Sequence, residues 1–337
     1  MKLQRRWAAV ATVAVFALLA AACSNVGSSV AGGGATSGAA VPDNSGTTIK
    51  IAVNAWVGSA ANANVAANLL RDKLGYTVEL VEIDEYGQFQ KLSTGALDAT
   101  LEVWPSGHAK DYKDYITSNN GVVDAGLNGV TGFIGWYIPT YMLTDHPELA
   151  TWEGFSGNES LFATSETGDK GRILDGDPTF VTFDQPIADN LGLNLEVVYA
   201  GSEAAELSAL DAAYKNQEPF LFYFWRPHWA QAKYDLTKVE LPAVTPACND
   251  AALNDPSKYA CDYPEDDLYK AFSDQLQTKA PAAFALLSAL NYTEDDQNGI
   301  GLDISGGMDP TEAAQKWIDA NPAVWQPWVD AGLAAQA

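Results

Sequence analysis

Residues 48–104 read TIKIAVNAWVGSAANANVAANLLRDKLGYTVELVEIDEYGQFQKLSTGALDATLEVW, and their periodicities decide the fold. Ile49, Ile51 and Val53 alternate with polar or small residues, the period-2 pattern of a strand. Ala60 to Leu74 carries Val65, Leu69 and Leu74 near helical spacing and stops at Gly75, a residue suited to the left-handed turn that ends a helix. Tyr76–Glu82 predicts a second strand, Tyr86–Thr94 a short helix and Ala99–Val103 a third strand. Such a β-α-β-α-β run predicts an α/β fold with an open, mostly parallel sheet.

Downstream, Thr131–Ile138 reads as a strand, Gly171–Asp177 as a turn-rich loop and Gln185–Leu191 as a helix. Leu195–Tyr199 then predicts a strand, Glu203–Asn216 a helix and Pro219–Phe224 a strand. From Asp266 the chain reads as largely helical, with apolar spacing through Phe272, Leu276, Phe284, Leu287 and Leu290. Two α/β lobes with a helical C-terminal segment fit the length of 337 residues.

Upstream, Lys2, Arg5 and Arg6 precede an apolar run from Trp7 to Ala22, which predicts a signal peptide over residues 1–22. Leu19-Ala-Ala-Ala-Cys23 resembles a bacterial lipobox, with Ala20 where Leu is usual, so Cys23 is the expected lipidation site; cleavage at an Ala-x-Ala site is the alternative. Residues 23–47 are then the lipidated Cys and a Gly/Ser/Ala-rich linker, holding the body at the outer face of a membrane. Cys248 and Cys261 remain as an even pair in an oxidising compartment, which predicts a structural disulfide over two free thiols.

The 43 acidic against 19 basic side chains give a formal charge of −24, which excludes a nucleic-acid partner, because a phosphate backbone needs a basic counter-surface. His108, His146 and His228 are too scattered for a His-rich metal centre. Gly154-Phe-Ser-Gly157 lacks nucleophile-elbow spacing and no phosphate-binding glycine loop is present, so neither an enzyme nor a cofactor or metal site is expected. A glycoside hydrolase with a Trp-lined cleft is the competing reading, since so many carboxylates guarantee chance pairs.

The chain holds 10 Trp. Trp56, Trp104 and Trp225 fall at the carboxyl ends of predicted strands, the edge where open α/β sheets bind ligands. Trp136 and Tyr137 lie on the strand that leads between lobes, while Trp152, Trp317, Trp325 and Trp328 read as packing residues and Trp229 stays undecided. Large aromatics also plug cores, but recurrence at one kind of position favours a binding surface. A box of ring faces suits a quaternary ammonium group, which carries charge and has no N–H to donate.

Five stretches in order, Asn54–Gly58, Gly95–Trp104, Gly135–Pro139, Lys170–Pro178 and Tyr223–Trp229, resemble the substrate-binding lipoproteins of glycine betaine/proline betaine/choline ABC importers. The resemblance implies a two-lobed, type II periplasmic-binding-protein fold that closes over ligand, with residues 48–139 plus 226–337 as lobe 1 and 140–225 as lobe 2. It implies a cage of Trp56, Trp104 and Trp225, with Trp136 or Tyr137 as a further wall. The backbone N–H groups of Val57 and Gly58, with His228, are candidate donors to a ligand carboxylate; His228 as a hinge residue is the alternative. Asp98 reads as structural, and Asp175 and Asp177 lie on a turn that faces either the cleft or solvent. Some choline-selective relatives carry an acid where this chain has Gly58, which tilts the expectation toward betaine-like zwitterions. The implied partners are an ABC permease and its cytoplasmic ATPase. A sugar or amino-acid binder using Arg226, or a sensor of the same fold, remains open at this point.

Overall fold

The computed structural model describes residues 41–336, so the expected signal peptide, Cys23 and most of the linker lie outside the described residues. β1 (Asn44–Val53) begins upstream of Thr48 and is followed by α1 (Val57–Leu74), β2 (Tyr76–Glu82), α2 (Glu85–Ser93), β3 (Ala99–Val103) and α3 (Pro105–Asp111). β1 pairs in parallel with both β2 and β3, as the alternation predicted. α1 is buried on almost every side because it lies between this sheet and the C-terminal helices Glu294–Ser305 and Pro310–Ala320. Its end is fixed at Gly75, whose φ of 70° is left-handed and whose N–H donates to the Arg71 carbonyl at 3.1 Å. A Cβ there would stand 1.9 Å from the Pro42 carbonyl oxygen.

The long β4 (Val122–Pro139) is followed by β5 (Gly171–Asp175), α4 (Asp184–Leu191), β6 (Leu195–Tyr199), α5 (Glu203–Asn216), β7 (Phe222–Arg226), β8 (Leu236–Lys238) and β9 (Glu265–Ser273). One sheet runs β2-β1-β3-β9-β4-β7-β5-β6, with β8 on β4. β4 spans its middle, pairing with β9 through residues 122–133 and with β7 through residues 133–137.

Three expectations change. The sheet is mixed rather than mostly parallel: β3–β9 and the pairings of β4 with β7, β8 and β9 are antiparallel, while β1–β2, β1–β3, β5–β6 and β5–β7 are parallel. The segment from Asp266, read as helical, opens with strand β9, because pairing on both sides with β3 and β4 overrides its polar local character. Its Lys270 is buried and donates to the carbonyls of Ser288 (2.7 Å) and Leu290 (2.5 Å), tying the strand to the helix Pro281–Ala289. Gly171–Asp175, read as loop, is a buried strand between β6 and β7.

Trp317 and Trp328 stack at 6.1 Å beside Tyr292, and the Trp325 indole donates to the Ile318 carbonyl at 2.8 Å, so these three indoles consolidate the C-terminal helices. Cys248 and Cys261 are bonded, with Cα atoms 6.2 Å apart. Among the described residues no helix is long and apolar enough to cross a membrane.

Candidate functional site

β1 and β3 run side by side and end at the same sheet edge, and each passes its chain to a helix through a tryptophan. Trp56 is the residue before α1 and Trp104 the residue before α3, both with extended backbone. Across from them, Trp225 on β7 sits opposite Ile134 on β4; Trp225 is thus inside its strand rather than after it. Tyr223, two residues earlier, points to the same face. Phe180 and Val181 descend from the loop between β5 and α4, and Glu85 and Gly107 complete the wall. Together these nine residues line a cavity of about 380 Å³ of atom-free space, its mouth included.

The rings are held by one another and by polar ties. Phe180 meets Trp56 edge-on at 6.0 Å and Trp225 edge-on at 5.6 Å, and Tyr223 lies 6.0 Å from Trp225. The buried Glu102 on β3 accepts from the indole N–H of Trp56 at 2.7 Å and of Trp104 at 3.1 Å through a single oxygen, Oε1. Its other oxygen accepts from Asn62 and Gln297, each at 2.7 Å. Burial pushes Glu102 up to about 7, against the pull of these donors, which favour the ionised form. Gly132 on β4 is needed at this spot, since a Cβ would stand 2.2 Å from the Trp104 ring.

Acids surround the cavity. Glu85 accepts from the Val181 N–H at 3.2 Å and from His108 Nε2 at 2.8 Å, while His108 Nδ1 lies 2.9 Å from Asp111. Burial alone would lower His108, but the hydrogen bonds and charges of Asp111 and Glu85 more than offset it and hold the imidazole at about 9, so it is protonated. Asp175 accepts from the Gly176 N–H and Thr182, and Asp184 from the Trp136 indole at 2.6 Å and the Tyr263 hydroxyl. Burial raises both carboxyls, and Asp184 raises Asp175 further. Glu206 is fully buried, with no partner on either oxygen, and lies beside Gly176.

Of the residues singled out in the sequence, Trp56, Trp104 and Trp225 are brought to one cavity. Trp136 is fully buried, bonded to Asp184 and packed on Phe155; Tyr137 packs against Phe222 and Phe224; neither lines the cavity. Asp175 is fully buried and is not part of the lining. The Val57 N–H donates to Glu203 Oε2 at 2.7 Å and His228 Nε2 lies 2.9 Å from Glu203 Oε1, so one carboxylate at the start of α5 takes two of the three expected donors. A Cβ on Gly58 would stand 2.2 Å from the Gln297 amide nitrogen and 3.1 Å from Glu102, which fill the space beside it. Glu85, Gly107, Ile134, Phe180, Val181 and Tyr223 were not foreseen. Tyr223 alone had a local signal, its two-residue offset from Trp225.

A mixed α/β sheet with an aromatic cavity at its strand ends is the architecture of the two-lobed periplasmic binding proteins. Residues 47–320 match the family described as the substrate binding domain of ABC-type glycine betaine transport systems, and the chain belongs to that family. It is therefore a substrate-binding protein of an ABC importer and not an enzyme. The chain is 25% identical to a trimethylamine N-oxide-binding protein of Pelagibacter ubique over 83% of its length and 90% of the relative's. It is 30% identical to a glycine betaine/carnitine transport binding protein of Listeria monocytogenes over 38% of each chain. Its fold is similar to that of lactococcal OpuAC in its closed-liganded conformation with glycine betaine (TM-score 0.64, 22% identity, 84% of this chain and 99% of that one). An ABC-transporter choline binding protein in complex with choline is similar at TM-score 0.68 and 19% identity, over 86% and 96% of the chains.

Proposed function

We propose that this chain captures a fully methylated ammonium compound in the cavity between Trp56, Trp104, Tyr223, Trp225 and Phe180 and hands it to the permease of its ABC importer, driven by a cytoplasmic ATPase. The observation that carries the reading is the convergence of these five buried rings on one small cavity whose lining has no cationic side chain. The family supports it, and the ligands named for the relatives share a nitrogen bearing three methyl groups. Such a nitrogen offers no hydrogen-bond donor, so ring faces are its best partners, each desolvated contact contributing on the order of 2 kcal/mol.

Residues 48–139 with 226–337 form the first lobe and 140–225 the second, a division supported by the way β4 carries the sheet from the β1–β3 side to the β5–β7 side. Trp56 and Trp104 belong to the first lobe, while Phe180, Tyr223 and Trp225 belong to the second. Ligand bridging the two stabilises the closed state, because only closure brings both sets of rings onto it. The anchor is the lipidated Cys23, which keeps the protein on the extracytoplasmic face of the membrane.

Titration of the intrinsic tryptophan fluorescence with choline, glycine betaine, carnitine and trimethylamine N-oxide tests the reading. At least one is expected to bind saturably, and its counterpart stripped of N-methyl groups is expected to bind at least tenfold more weakly. Absence of binding by all four, or indifference to the methyl groups, would overturn it.

A further inference from the structure

Two buried glutamates, one from each lobe, make the same set of bonds. Glu203 opens α5 in the second lobe, and its Oε2 accepts at 2.7 Å from the backbone N–H of Val57, the first residue of α1 in the first lobe. Glu85 opens α2 in the first lobe, and its Oε1 accepts at 3.2 Å from the backbone N–H of Val181, in the β5–α4 loop of the second lobe. Each gives its other oxygen to an imidazole: Glu203 Oε1 lies 2.9 Å from His228 Nε2, and Glu85 Oε2 lies 2.8 Å from His108 Nε2. All four side chains are buried.

The imidazoles are themselves fixed. His228 Nδ1 accepts from the Ala230 N–H at 3.1 Å, so the ring presents its Nε2–H to Glu203, and it packs on Phe224 and Trp225 at 4.7 and 5.2 Å. His108 is gripped on both nitrogens, by Glu85 and by Asp111. A carboxylate braced in this way has one direction left for its second oxygen, so the bond to the far lobe forms at one spacing of the lobes. Helix α1 depends on that bond. Trp56, at its N-cap, makes no side-chain capping bond and the first turn has no acid, so the acceptor for the Val57 N–H comes from Glu203, across the cleft.

We propose that Glu203 with His228, and Glu85 with His108, form two reciprocal clasps that hold the lobes shut on a bound ligand, and that Glu203 is a positioning residue that sets how long the ligand stays without touching it. The proposal rests on the two-lobe reading above. When the lobes part, the Val57 N–H and Glu203 both return to water and nothing is left unsatisfied, so the bond favours the closed state alone. Glu85 is part of the cavity lining and Glu203 is not, which makes Glu203 the clean test.

Stopped-flow tryptophan fluorescence of the full chain with choline, glycine betaine, carnitine and trimethylamine N-oxide supplies the measurement. Glu203→Ala is expected to raise the dissociation rate about tenfold, the effect of one hydrogen bond to a charged group. The factor is expected to be the same for each compound that binds, with the association rate changed less than twofold. The urea midpoint of the ligand-free variant is expected to match the wild type, because the open state does not use the bond. Glu203→Gln keeps one acceptor oxygen and is expected to fall between the two. His228→Phe keeps the ring and loses its N–H, and is expected to add nothing to Glu203→Ala in the double variant, since the imidazole acts through the carboxylate. An unchanged dissociation rate in Glu203→Ala, or a change confined to one compound, overturns the proposal and leaves the aromatic cage in place. A lowered urea midpoint in the ligand-free variant also overturns it, assigning Glu203 to the fold. Binding by the wild type without compaction in small-angle scattering overturns the closure on which it rests, and absence of binding by all four compounds overturns the cage reading itself.

Discussion

Glu102 holds two indoles with one oxygen, so the angle between Trp56 and Trp104 depends on a carboxylate outside the cavity lining. Glu102→Gln places an amide where four N–H donors converge, and at least one pair must then face donor to donor. Binding is expected to weaken roughly tenfold as the rings lose their shared tie, with the tryptophan emission of the free protein shifted; calorimetry and fluorescence on the variant check both. Gly132→Ala drives a methyl into the Trp104 ring and is expected to lower stability by about 1–3 kcal/mol together with affinity, read from urea unfolding and titration. Trp56 and Trp104 were legible as cavity residues because each stands where a strand gives way to a helix, whereas Trp225 was found from its place near the end of β7, inside the strand. Their supports were not, since Glu102 lies 46 residues from Trp56 and Glu203 lies 146 residues from Val57. Glu85 and Phe180 reach the cavity only because tertiary structure folds α2 and the β5–α4 loop over the same edge.

At the scale of the element, the run β1-α1-β2-α2-β3 was legible because alternation, helical spacing and Gly75 agree with the fold they build. β9 and β5 were not, for a common reason: each is a strand because of what it pairs with. Glu265–Ser273 opens with three acids and becomes buried only between β3 and β4, and Gly171–Asp175 runs directly into a Gly-Asp-Pro turn that hides its end. The segment leading into β9 is secured by the Cys248–Cys261 bond, whose partners are 13 residues apart. A loop of that length is worth about 3 kcal/mol through the unfolded state. Cys248→Ser with Cys261→Ser is therefore expected to lower the thermal midpoint by several degrees and to abolish its dependence on reductant, as a melting curve with and without dithiothreitol would register.

For the whole molecule, the buried carboxyls and His108 give stability a pH slope of one sign, which Lys270, lowered to about 8 by burial, opposes only from about pH 8 upward. Glu102, raised by burial to about 7, carries a proton in the folded chain over a range where the unfolded chain has lost it, so its contribution is complete below the ordinary carboxylate pKa and is lost as pH rises toward 7. His108, held at about 9, contributes fully below the ordinary imidazole value and loses that contribution as pH rises through 9. Asp175, Asp184 and Glu206, all raised by burial, act in the same direction as Glu102. Unfolding free energy is expected to be greatest near pH 5 and to fall toward pH 8; a rise between pH 5 and pH 8 in urea unfolding would contradict these assignments.

The central claim is that the rings of Trp56, Trp104 and Trp225 hold a methylated nitrogen, and calorimetric titration of choline into the wild-type chain and Trp104→Ala, side by side, tests it most directly. Saturable wild-type binding, weakened at least tenfold in the variant as a lost contact of about 2 kcal/mol requires, is the predicted result. Equal affinity in the two proteins would contradict it.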